Sequence, residues 1–304
     1  MATFIGDASK DELSKLSPAV IAVHVGLNVF LTIIAILGNS LILVALKKVS
    51  SLHTPTKLLF RCLAVCDLFV GLILHPLHVI GFILDYQLRI IGHHLDHATY
   101  VLSFVLCGLS IFVSTAISLD RLLALKLRLR YKKVVTLSRI RAAILGFLLL
   151  AVSIGLVYVF VDKIYALIIT LICVAFSIVI STFSYVTIFR TLRKHQSIMQ
   201  SRIYQVQPNG GGNPLNIAKY KKTVSSIAWV QLALIACYTP FIVGIVVIKV
   251  NNLTGFYSEM FWTFSGTFVY FNSSLNPFLY CWKLREVRQA ASAAIRRYIC
   301  CKSS

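Results

Sequence analysis

Seven apolar runs, each long enough to cross a bilayer, divide this chain. They lie near 18–46, 57–84, 98–125, 140–161, 164–189, 223–248 and 257–282. A spanning helix needs about 20 mostly apolar residues. Only Asp162 and Lys163 interrupt the fourth and fifth runs. Read as one span, 140–189 would be far too long, so the pattern predicts two helices and a very short loop. Ser17-Pro18 reads as an N-cap followed by a first-turn proline, opening the first helix. Residues 1–17 are polar and show no cleavable signal peptide. The expected fold is an all-α integral membrane protein, a seven-transmembrane helix bundle with a short amphipathic C-terminal surface helix. That last element rests on LREVRQAASAAIRRYICC, in which Leu284, Val287, Ala291, Ala294 and Ile295 alternate with Arg285, Arg288, Arg296 and Arg297 at helical spacing. The chain thus divides into a short outer segment (1–17), the bundle (18–282) and a surface helix with tail (283–304). A Gly- and Pro-rich stretch, Gln205 to Asn216, reads as a flexible linker in the third inner loop.

Composition sharpens this picture. Of the 304 residues, 58% are hydrophobic and 13% charged, against roughly 45–50% and about 25% in soluble domains. The formal net charge is +20, and its placement is uneven. Of the 30 Lys and Arg, only Lys10, Lys15, Arg89, Lys163 and Lys249 fall on the side of the N-terminus. The other 25 flank the opposite ends of the spans, which predicts an outer N-terminus and a cytoplasmic C-terminus. A nucleic-acid partner is excluded, because the basic residues border membrane spans instead of forming one basic domain. Attraction to an anionic inner leaflet follows from the same charge. Eight cysteines are present, none clearly in an outer loop, so no extracellular disulfide is expected. Cys300 and Cys301 suit palmitoylation, and Asn252-Leu253-Thr254 is a glycosylation sequon in the third outer loop.

Polar residues inside membrane spans are rare and usually face the bundle interior. In the seventh run Asn272, Asn276 and Tyr280 are spaced i, i+4, i+8, on one stripe. Pro277 removes a backbone hydrogen bond there. Ser103, Cys107, Ser110, Ser114 and Arg121 form a stripe on the third helix, and Ser110 and Arg121 lie about 16 Å apart along its axis. Asp67 sits deep in the second run and Asn39 in the first. The plainer readings are that span serines glue helices together and that Arg121 snorkels to the interface. Near the outer ends of helices two and three stand His75, His78, His93, His94 and His97. His93 and His97, at i, i+4, have metal-ligand spacing. They read either as a zinc or proton sensor or as interfacial histidines.

The motifs GNSLILVAL (38–46), LAVCDL (63–68), SLDRLLAL (118–125), CYTPF (237–241) and NPFLY (276–280) occur in order, each in its own span. With them the chain resembles a rhodopsin-like (class A) G-protein-coupled receptor over nearly its whole length. The resemblance implies a plasma-membrane receptor that couples an extracellular ligand to heterotrimeric G proteins, with no catalytic residues. It implies a polar network of Asn39, Asp67 and Asn276, and a sodium pocket of Asp67, Ser110, Asn272 and Asn276. It implies an inner arginine motif at Asp120-Arg121, a helix-six kink at Pro240, and two inner tyrosines, Tyr185 and Tyr280. Ser103, Cys107, Tyr238 and Tyr270 would floor the ligand pocket.

Several positions depart from the family pattern. Asp96 stands where a cysteine usually ties helix three to the second outer loop. Ser177 replaces the helix-five proline, Tyr238 the helix-six tryptophan, Leu122 the tyrosine after Asp120-Arg121, and Arg128 an inner-loop proline. The missing disulfide, missing helix-five proline and vestigial loop together resemble the melanocortin, cannabinoid and lysophospholipid receptor group. A retinal Schiff base is not expected, since the core of helix seven has no lysine. Ser103 stands where amine receptors carry an aspartate. Two rival readings remain: a seven-helix decoy without G-protein coupling, and a transporter or channel, which would need paired halves and a charged midplane path.

Overall fold

In the first span, Pro18–Lys48, every third or fourth residue turns inward. His24, Asn28, Leu31, Ala35, Asn39 and Ile42 are buried along one stripe, the period of an α-helix with one packed face. The other faces carry large exposed apolar side chains such as Val23, Phe30, Ile33 and Leu37. In water such a surface would drive aggregation; in a bilayer it is the natural exterior. The computed structural model describes residues 18–49, 52–87, 89–206, 232–248, 251, 256–283, 288–289 and 292–293. Asn252, Cys300, Cys301 and most of the expected surface helix lie outside them.

The second span begins as Thr54–Phe69 with Pro55 in its first turn, widens into a π turn at Val70–Leu74, and continues as His75–Gln87. The π turn has a local cause. Pro76 has no N–H, and its ring crowds the carbonyl four residues back. The His75 N–H instead bonds the Val70 carbonyl, five residues back, which opens the helix where the ring must fit. Gly71 in this turn lies against the first span, and a Cβ there would meet that of Ala35 at 2.9 Å.

The third span runs Arg89–Leu127 and ends in a 3-10 turn, Arg128–Arg130. Arg128 takes a φ of 44°, in the left-handed region that non-glycine residues seldom adopt. After the short helix Tyr131–Val134, the Thr136 side chain caps the fourth span, Leu137–Phe160, by accepting from the Arg139 N–H at 3.4 Å. Only Val161 and Asp162 separate this span from the fifth, and the Asp162 carboxylate accepts the Ile164 N–H at 2.6 Å. The short loop expected from sequence is present.

The fifth helix, Lys163–Val206, is one uninterrupted element of 44 residues, about 66 Å long. It overruns the predicted 164–189 because hydropathy marks where the bilayer ends, whereas the backbone stays helical into the charged RTLRKH segment. The third helix likewise begins nine residues before its apolar run. The described part of the sixth span is Leu232–Ile248, and the seventh is Phe256–Lys283 with Pro277 inside it. Among the described residues, five helices are long and apolar enough to cross a membrane. The seventh differs from them in its polar content, and it turns Thr267, Asn272, Ser273, Ser274 and Asn276 into the bundle.

Among the described residues, the two larger buried clusters join most of the elements. In one, Ile42, Leu46, Leu59, Phe60, Leu63 and Val113 knit the first three spans. In the other, Val70, Ile111, Val174, Leu234, Tyr238 and Tyr270 bring together spans two, three, five, six and seven. The protein is a multi-pass seven-helix membrane bundle.

Candidate ligand cavity and polar core

The first and seventh spans meet through a set of polar contacts organised around Pro277. Having no N–H, Pro277 leaves the Ser273 carbonyl without its helical partner. Asn39 Nδ2 donates to that carbonyl at 3.1 Å and to the Ala35 carbonyl at 2.9 Å. The preceding Gly38 makes room for the proline ring: a Cβ at Gly38 would lie 2.6 Å from Pro277 Cγ. Ser274 Oγ donates to the Leu31 carbonyl at 3.0 Å. Adjacent residues of the first span thus supply the space and the hydrogen bond that the proline demands.

Beside this joint lies Asp67, fully buried. Its Oδ1 accepts from Ser110 Oγ at 3.0 Å, and its Oδ2 from Asn276 Nδ2 at 2.7 Å. The Ser273 side chain also lies beside the carboxylate. Asn39 reaches the group only through the Ser273 backbone, and its Oδ1 has no partner among the described residues. Asn272 is buried on the same helix but does not bond Asp67. Ser273, not singled out from sequence, lies nearer the carboxylate. Residues 273 and 276 share a face as well as 272 and 276 do, and the helix rotation chooses between them.

Near the Leu127 end of the third span Asp120 is buried at the centre of a clamp. Its Oδ2 accepts from Arg121 Nη2 at 2.5 Å and from Thr56 Oγ1 at 3.0 Å. Its Oδ1 accepts from the Tyr131 hydroxyl at 2.5 Å. Arg121 Nη2 also donates to Thr56 Oγ1 at 2.9 Å. Sequence reading found the Asp-Arg pair and missed Thr56 and Tyr131, which come from the start of the second span and from the inner loop. Tyr185 packs near Leu122, Ile188 and Leu192 and stacks on Phe189, 6.3 Å between centroids. Tyr280 lies on the seventh helix with its side chain outside the described part.

Towards the Arg89 end of the third span Ser103, Cys107, Tyr238 and Tyr270 line one cavity. Ser103 Oγ donates to the Thr99 carbonyl and meets the Tyr270 hydroxyl, both at 2.7 Å. Residues of the fourth and fifth spans, Ile154, Leu167 and Val174 among them, close its far wall. Pro240 lies two residues beyond Tyr238 and is partly buried.

Next to the cavity is a histidine cluster that the sequence did not announce. His24 packs on His78, with centroids 5.3 Å apart, and on Phe82 at 4.7 Å. Asn28 Oδ1 pairs with His75 Nδ1 at 3.1 Å, while its Nδ2 donates to Thr267 Oγ1 at 3.2 Å. His75 is fully buried, which corrects its expected place among interfacial histidines. The visible signal was His24 and Asn28 at i, i+4 inside an apolar run. The His93–His97 pair is not defined as a site. His97 is exposed and its ring lies 5.5 Å from that of Tyr158, while the His93 side chain is outside the described part. Among the described residues no group of three His, Cys, Asp or Glu is placed to hold a metal ion.

Residues 38–164 and 160–280 match the family described as 7 transmembrane receptor (rhodopsin family). Adenosine receptor A2b of Bos taurus is 38% identical over 138 residues, covering 44% of this chain and 40% of that protein. The human A2b receptor is 36% identical over the same length and shares. Trace amine-associated receptor 9 of Mus musculus is 24% identical over 296 residues, 87% of this chain and 83% of its own. The matched stretch thus spans about two fifths of the adenosine receptors. The likeness to the melanocortin, cannabinoid and lysophospholipid group rests on the sequence features alone. Family match, seven-helix fold and polar core agree, and the chain belongs to the rhodopsin family of seven-transmembrane receptors.

Proposed function

We propose that this chain is a plasma-membrane receptor that passes the signal of an extracellular ligand to a heterotrimeric G protein. Its N-terminus faces outward and its C-terminus lies in the cytoplasm, as the basic residues favour. The observation that carries this reading is the third span. One rigid helix lines the outer cavity at Ser103 and Cys107, binds Asp67 through Ser110, and ends in the Asp120–Arg121 clamp. From Ser103 to Arg121 is about 27 Å. A ligand that favours one packing at the outer end shifts the population of inner states. In the active packing the sixth helix swings outward about Pro240, and a G-protein helix enters the inner groove. Arg121, Tyr185 and Tyr280 would line that groove.

A sodium ion is the one cofactor this reading adds. The Asp67 carboxylate and the Ser110 hydroxyl bonded to it, with the nearby Ser273 hydroxyl and the uncommitted Asn39 Oδ1, would supply the oxygen donors that a hard cation prefers. Bound, the ion would offset the buried carboxylate charge and hold the resting packing. Asn272 is not part of this set.

The test is nucleotide exchange on purified G proteins of each class by the full chain in nanodiscs. We expect exchange above a receptor-free control for at least one class. Failure with every class, in the presence and absence of a ligand panel, would favour the decoy reading. Tyr131→Phe should raise the basal rate about fivefold if about 1 kcal/mol of a charge-assisted hydrogen bond is confined to the resting clamp. An unchanged rate would mean that the Tyr131–Asp120 bond survives activation.

A further inference from the structure

The outer cavity also states what kind of ligand it can take. None of the residues that line it is Asp, Glu, Lys, Arg or His. A charged ligand entering there would lose its hydration without meeting an opposite charge. Most of the hydroxyl donors on its wall are already committed. Ser103 donates to the Thr99 carbonyl, and Thr170 to the Ala166 carbonyl at 2.8 Å. The exception is Tyr238. Its side chain lines the cavity, the residue is only 4% exposed, and its hydroxyl has no hydrogen-bond partner among the described residues. A hydroxyl on a cavity wall that bonds no described residue is free to donate to or accept from a ligand.

We propose that the ligand is an uncharged, mostly apolar small molecule whose single hydrogen-bonding group meets the Tyr238 hydroxyl. This rests on the reading of the cavity as the receptor's ligand site. It makes Tyr238 the specificity-determining residue: the apolar body fills the space between spans three, four and five, and the polar end reports to the sixth helix. Neither an amine nor adenosine, after which the relatives are named, has this character.

The experiment uses the full chain in neutral phosphatidylcholine nanodiscs and four probes of one chain length: 1-decanol, decane, decylamine and decanoate. The readout is the saturable shift in thermal midpoint at matched membrane concentration. Decanol should reach half-saturation at a concentration at least tenfold below those of the two charged probes. In Tyr238→Phe, which removes one oxygen and keeps the ring, decanol should weaken about tenfold, to the level of decane. The proposal is overturned if a charged probe equals or exceeds decanol, if decanol is indifferent to Tyr238→Phe, or if no shift saturates. Nucleotide exchange measured in parallel separates the two levels. Tyr238-dependent binding with no effect on exchange for any G protein would overturn the signalling reading and leave the ligand class standing. Exchange driven by tyramine but not by decanol would do the reverse.

Discussion

Gly38→Ala should lower the thermal midpoint of the purified receptor by about 5 °C, although alanine is the better helix former. The added Cβ would sit 2.6 Å and 2.7 Å from two atoms of the Pro277 ring. Neither partner can turn away, because one atom is fixed to backbone and the other belongs to a closed ring. The first and seventh spans must therefore separate, which strains the adjoining Asn39–Ser273 and Ser274–Leu31 hydrogen bonds. Overpacking of this kind costs about 1–3 kcal/mol, partly offset by up to about 1 kcal/mol of helix propensity. A net loss of about 2 kcal/mol corresponds to roughly 4–8 °C in a domain of 150–250 residues. Gly26 supplies the control, since a Cβ there meets nothing within 4 Å. Gly26→Ala should leave the midpoint unchanged or raise it. Equal responses of the two variants in a thermal-shift assay would show that Pro277 does not pack as described.

This joint also marks the limit of what the residues alone disclose. The spans were legible because apolar runs of bilayer length have few other uses. The two-residue turn between spans four and five followed from length alone. Helix ends were not legible: the fifth helix leaves the bilayer and continues as a charged helix, and no change of hydropathy marks its true end. In the polar core the spacing showed which residues share a face, and Asp67, Ser110 and Asn276 meet there. Spacing cannot fix the rotation of one helix against another to within one residue, so Ser273 lies nearer the carboxylate than the expected Asn272. Thr56 and Tyr131 were invisible for a different reason. Each is an ordinary polar residue near a helix end, and only the tertiary approach of the second span and the inner loop brings both to Asp120. His24 and Asn28 had a signal, two polar residues one turn apart in an apolar run, that pairing with His75 explains only in three dimensions.

The Asp67–Asn276 pair separates a structural bond from a cation site. Asn276→Leu should preserve membrane insertion, since leucine suits a span at least as well as asparagine. It removes the 2.7 Å bond to Asp67 Oδ2 and leaves that oxygen buried with one donor fewer, at a cost of about 2–3 kcal/mol. Basal exchange or its sodium sensitivity should shift with it; if neither moves, the pair only holds helices together. The reciprocal change, Asp67→Asn with Asn276→Asp, sharpens the test. It restores one amide and one carboxylate across the same gap, so the stability lost in each single variant should largely return, with a coupling of about 1–3 kcal/mol. Sodium sensitivity should not return. The carboxylate would then stand on the seventh span, away from the position where it faces the Ser110 hydroxyl. Recovery of stability and sodium response together in the double variant would refute a site built around Asp67. Recovery of stability alone would mean that the charge is needed on the second span, where it faces the Ser110 hydroxyl, while the hydrogen bond can be formed from either side.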